Sequence, residues 1–172
     1  MASKIKVDTL ETANGSGTIA LSNQLSGMTS ASMPSGSVLQ VISATNTSTA
    51  NGAYLLITTS TAYVSVPLVV SITPSSTSSK IMILVNTTTY RAATGYLTLY
   101  RGSTNIAGTN GLANPTGSSS SRFEPVSFSY LDSPNTTSSV QYTLYARTAS
   151  GTLYVGGDGD LINSITVMEI KG

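Results

Sequence analysis

Residues 62–72 read AYVSVPLVVSI. In an extended chain successive side chains point to opposite faces, so Val64, Val66, Leu68, Val70 and Ile72 share one side, and Tyr63, Ser65, Pro67 and Ser71 the other. One face is built for a core and the other for water, the signature of a half-buried antiparallel strand. Pro67 cannot donate to a ladder, which predicts an edge strand or a bulge at that point.

The same period of two recurs on both sides of this stretch. Leu97 and Leu99 oppose Tyr96, Thr98 and Tyr100; Val126, Phe128 and Tyr130 alternate with Ser127 and Ser129; Tyr142, Leu144 and Ala146 alternate with Thr143, Tyr145 and Arg147. Strands are expected over 38–44, 53–59, 62–72, 80–90, 95–101, 122–131, 139–147, 151–155 and 162–170, separated by turn clusters such as SSTSSK, GSSSSR and SPNTTSS. No segment holds a 3.6-residue period over helical length. The expected fold is all-β, an antiparallel sandwich.

Residues Ile81-Met82-Ile83-Leu84-Val85 break the alternation by being apolar on both faces. Such a strand is expected to lie between the core and a second surface, most naturally a neighbouring subunit, and Ile81, Ile83 and Val85 are the expected contacts. Tyrosines on the solvent side of other strands suit subunit contact or glycan stacking.

The chain divides into an arm (1–30), a small-residue connector (31–37) and a β-sandwich knob (38–172). In the arm, Lys4, Lys6, Asp8 and Glu11 alternate with Ile5, Val7 and Thr9, Asn14-Gly15-Ser16-Gly17 turns the chain, and Thr18–Leu21 resumes an extended run. An isolated hairpin is marginal in water, so sister arms or another protein must clamp it.

Composition limits the chemistry. The 172 residues contain no His, Cys or Trp, 9% are charged, and the net charge is +1, while 40% are hydrophobic and can offset chain entropy. Without His or Cys the usual nucleophilic triads are excluded, and Lys80 in SSTSSK reads as a strand-end lysine. The carboxylates Glu124, Asp132, Asp158, Asp160 and Glu169 each have a plain structural reading, which argues against a glycosidase pair. GGDGD at 156–160 could suggest calcium, but Asp-Gly is foremost a hairpin turn signal. Asn-x-Ser/Thr triplets at Asn14, Asn46, Asn86 and Asn135 are expected by chance in so hydroxyl-rich a chain. No basic cluster suits nucleic acid, no apolar run is long enough to span a bilayer, and no signal-like stretch opens the chain. No enzyme activity, cofactor or metal is expected.

Six stretches together resemble fibre-like appendage proteins (head fibres, tail fibres, decorations) of tailed bacteriophages, particularly marine phages infecting cyanobacteria: KIKVDTLETANGSGTIALSNQLSGM, GSVLQV, SITPSSTSSKIMILV, SYLDSPNTTSSVQYTLYAR, GTLYV and SITVMEI. The resemblance implies a homotrimeric virion protein made in the host cytoplasm. Its arm would dock on capsid or tail proteins, with Ile5, Val7, Leu10, Ile19 and Leu21 as attachment residues. Its knob would be a jelly roll similar to trimeric tumour-necrosis-factor or complement-like heads, with Val167 and Ile170 of the closing strand near the trimer centre. A thirty-residue arm reaches about 100 Å at most, which suits a stubby fibre or decoration. The alternative expectation is a receptor-binding tail-fibre tip that reads host-surface glycans through loops 110–121 or 132–139.

Overall fold

The computed structural model describes residue 15 and residues 32–47, 54–91, 94–115, 123–157 and 161–172. The chain divides between Ser32 and Met33. From Met33 onward the described residues form ten strands, all paired antiparallel, with no α-helix. The expected all-β fold is therefore observed. No helix among the described residues is long and apolar enough to cross a membrane.

The first sheet runs β1 (Val38–Thr47), β10 (Ile162–Ile170), β4 (Lys80–Arg91), β7 (Phe123–Asp132), with short strands β2 (Leu56–Thr58) and β9 (Leu153–Val155). The second runs β3 (Val64–Ile72), β8 (Val140–Thr148), β5 (Gly95–Arg101), β6 (Thr104–Asn105). Their inward side chains form one core: Val66, Leu68, Val70 and Ile72 of β3 and Leu97, Leu99, Tyr142 and Leu144 of the second sheet meet Ile81, Ile83, Val85, Ile165 and Val167 of the first. Burying each such aliphatic side chain contributes about 1.5–3 kcal/mol.

Pro67 satisfies both readings of its position. β3 is an edge strand, and its register against β8 slips between Ser65 and Val69, where Pro67 would otherwise have to donate. The Pro67 carbonyl instead accepts from Asn46 Nδ2 at 2.6 Å, tying the β3 edge to β1 of the other sheet.

Gly156 and Gly157, the described part of the Gly-rich run at 156–160, stand between two strands that do not pair with each other as a hairpin. β9 pairs with Thr89–Arg91 and β10 with Lys80–Asn86 of β4, while β7 occupies the other edge from Ile81 to Tyr90. β9 and β10 therefore lie end to end on one edge of β4, and β2 and β1 lie end to end beside them. The glycines mark an interruption in a long strand. Gly156 takes φ +104, its N–H donates to Thr88 O at 2.9 Å, and a Cβ there would meet Leu55 Cγ at 2.4 Å, so only glycine fits. Fully buried Asn163 pins the break: Nδ2 donates to Gly156 O (2.9 Å), Leu161 O (3.1 Å) and Asn46 O (3.2 Å), and Oδ1 accepts from Thr87 (2.8 Å).

Two polar clusters join the sheets. Asp132, the last residue of β7, accepts from Arg101 Nη1 of β5 at 2.9 and 3.0 Å and from the Tyr142 hydroxyl of β8 at 2.7 Å. Burial, then the Asp132 carboxylate, pushes the Tyr142 pKa far above its ordinary value, so this hydroxyl remains a donor. At the connector end, Glu169 is fully buried and accepts from Gln40 Nε2, Ser75 N–H and Ser75 Oγ, each at 2.7 Å. There the Gly36 N–H donates to Lys171 O at 2.8 Å, the Lys171 N–H donates to Ser37 O at 2.9 Å, and Lys171 Nζ donates to the Met33 carbonyl.

Candidate assembly surface

Antiparallel partners that stand opposite each other share a face, so the ladder registers read out the outer face of the first sheet row by row. One row is Val41, Met168, Met82, Leu131, wholly apolar. The next two are Ser43, Thr166, Leu84, Ser129 and Thr45, Ser164, Asn86, Ser127, in which Ser43 and Thr166 hydrogen-bond at 2.9 Å and Ser127 donates to Asn86 at 2.6 Å. At the far end stand Ile57, Tyr154, Tyr90 and Phe123. Tyr54 joins that end, with ring centroids 4.8 Å from Tyr154 and 6.3 Å from Phe123. The face is apolar at one end, hydroxylated in the middle and aromatic at the other.

Eight large apolar side chains are exposed among the described residues. Six of them, Val38, Val41, Ile57, Phe123, Leu131 and Ile162, lie on this one face. Single exposed apolar residues are ordinary, but concentration on one face marks an interaction surface.

The expected interface residues fall differently from their sequence reading. Ile81, Ile83, Val85 and Val167 have no exposed surface and pack inside the subunit's own core. A strand apolar on both faces does have a second apolar surface, but Met82 and Leu84 carry it, because they are the side chains that alternate outward. Of the expected set only Ile170, half-buried and opposite Val38, stands on the outer face. The reading also missed Val41, Met168 and Leu131, which the parity of their strands could have supplied once one strand's inward face was known. Ile5, Val7, Leu10, Ile19 and Leu21 lie outside the described residues.

The outer face of the second sheet is of another kind. Tyr100 and Tyr145 stack at 3.9 Å between centroids. The Arg147 guanidinium lies 3.9 Å from the Tyr96 ring centroid and 5.2 Å from that of Tyr63. Arg147 and the Tyr63 hydroxyl both donate to Thr109 O, at 3.3 and 3.2 Å. Burial raises the Tyr63 pKa, against the nearby Arg147.

Elsewhere the chemistry is sparse. A groove of about 420 Å³ lies between Ala113–Pro115 and the start of β7, where Glu124 is its one carboxylate. Lys80 is exposed at the start of β4. Asp132 and Glu169 are occupied by the contacts described above, at opposite ends of their strands from Glu124. No group of three or more metal-ligating side chains gathers among the described residues, and Asp158 and Asp160 lie outside them. No family model matches the chain, and neither does any curated protein.

Proposed function

We propose that this chain is a non-enzymatic structural protein of a tailed-phage virion, a short trimeric fibre or decoration. Its N-terminal arm would be gripped by capsid or tail proteins, and its knob would project outward. The carrying observation is the outer face of the first sheet, which gathers six of the eight exposed large apolar side chains. A four-strand face about 19 Å wide and 30 Å long has a projected area of about 570 Å², somewhat below the roughly 800 Å² per partner of a standard interface.

Symmetry supports a ring over a face-to-face pair. A closed three-fold contact joins two different patches of the same chain. The sheet offers two: a β1/β2 flank with Val38, Val41 and Ile57, and a β7 flank with Phe123 and Leu131. The strand orders β1-β10-β4-β7 and β3-β8-β5-β6 support a jelly-roll head of tumour-necrosis-factor or complement-like build, since a jelly roll also sets two four-stranded sheets face to face. The fibre-like phrases in the sequence support the virion setting.

Two measurements test this. Light scattering on the full chain is expected to give the mass of three chains, and electron cryo-microscopy of the particle is expected to show stubby three-fold projections. A monodisperse monomer, or a particle without such density, overturns the proposal. The alternative, a receptor-binding tip, draws its support from the tyrosine and arginine cluster on the opposite face.

A further inference from the structure

We propose that the outer face of the second sheet is a binding platform for acidic polysaccharide, with Arg147 pairing a uronate carboxylate and the surrounding tyrosines receiving the sugar. The proposal deepens the preceding reading, because packing the first sheet against sister copies leaves the second turned outward.

The charge of Arg147 is the first support. Its guanidinium is held beside Tyr96 and Tyr63, and its polar contacts, with Thr109 O and the Tyr63 side chain, are to neutral groups. The ion pair shown among the described residues is Arg101–Asp132, and no carboxylate among them pairs with Arg147. A planar guanidinium fixed by ring contacts has lost much of its conformational freedom and keeps a fork of donors suited to a carboxylate.

The second support is what surrounds it. Tyr100 and Tyr145 add ring surface, and exposed Ser65, Ser71 and Gln141 line up across β3 and β8 on the same face. Val69 is the only large apolar side chain exposed on β3 and β8. Rings with hydroxyl and amide groups, and little aliphatic surface, match a pyranose, which offers an apolar C–H face and a rim of hydroxyls. Tyr and Arg also recur in protein hot spots, and it is the hydroxyl and amide groups around them that favour a sugar; a nucleic-acid strand would need several cations. Each site alone would be weak, and three on one particle bind by avidity.

The test titrates the full chain with a hexameric oligogalacturonate, with neutral maltohexaose and with oligothymidylate, following heat by calorimetry and assembly mass by light scattering. Oligogalacturonate is expected to bind at least about tenfold more tightly than maltohexaose. Arg147→Gln is expected to lose about tenfold of that affinity, as removal of one partner of a charge-assisted pair does, Arg147→Lys to recover part of it, and Tyr145→Ser to weaken both sugars. Equal affinity for the two sugars, no uronate binding at millimolar concentration, indifference to Arg147→Gln, or tighter binding of oligothymidylate overturns the platform. The mass separates the two proposals: trimers without uronate binding refute the platform alone, and monomers that still bind uronate refute the trimer alone.

Discussion

The two faces of the first sheet are made from the same strands, yet they differ in what covers them. On the inner face Ile81, Ile83 and Val85 stand beside Ile165 and Val167, all without exposure. On the outer face, one residue along each strand, Met82, Leu84 and Met168 remain half-buried and Val41 and Leu131 exposed. The inner residues are held by the other sheet of the same chain, and the outer ones have no such cover among the described residues. In the proposed trimer, a one-residue shift in a strand would separate folding from assembly.

Substitutions on the two faces of β4 should separate these roles. Ile83→Asp places a carboxylate in the core, where lost packing and an unpaired buried charge together cost about 4 kcal/mol or more, a large share of the roughly 5–15 kcal/mol that holds a domain folded. Urea denaturation is expected to show loss of the cooperative transition. A folded monomer from this variant would mean that Ile83 faces a partner after all.

The paired change Val41→Asp with Met82→Asp moves the charge to the outer face. The subunit is expected to keep its fold, with stability within about 1 kcal/mol of the parent, as for substitutions away from the core. Its mass by light scattering should fall from three chains to one. A trimer that survives both carboxylates would place the interface elsewhere.

An effect smaller than that of Ile83→Asp, and without a change of mass, is expected at Glu169, where the inner face turns polar. Burial by itself raises this pKa, but the hydrogen bonds from the Ser75 hydroxyl, Gln40 and the Ser75 N–H outweigh it and hold the carboxyl below its ordinary 4.5. A depressed folded pKa means stability that is present above the unfolded value and drains away as pH falls from about 4.5 through the folded pKa. Glu169→Gln is expected to lower stability at neutral pH by about 1–3 kcal/mol, since its amide opposes donors that faced an acceptor. It should also flatten the acid side of a plot of melting temperature against pH. An acid limb unchanged by the substitution would remove Glu169 from the account.

Strand positions were largely legible because hydropathy alternates with the chain's own period. Val64–Ile72 and Val140–Thr148 fall where their patterns put them, and Pro67 announced its bulge through its missing donor. Long-range polar partners were not legible. Asp132 reads as a turn residue before Pro134, and nothing local shows that Arg101 and Tyr142 converge on it from the other sheet. The Gly156–Gly157 run reads as a hairpin because its local chemistry is that of a turn, and only pairing of both flanking strands with β4 makes it an interruption.

The sequence by itself determined that this chain is all-β, poor in reactive groups, and apolar on both sides at residues 81–85, because local periodicity and composition carry that information. Only the tertiary structure decided which side of that strand is core, which strands share its sheet, and that most of the exposed large apolar side chains gather on one face while tyrosines and Arg147 gather on the other. Those facts depend on register and strand order, which arise from contacts between residues far apart in the chain.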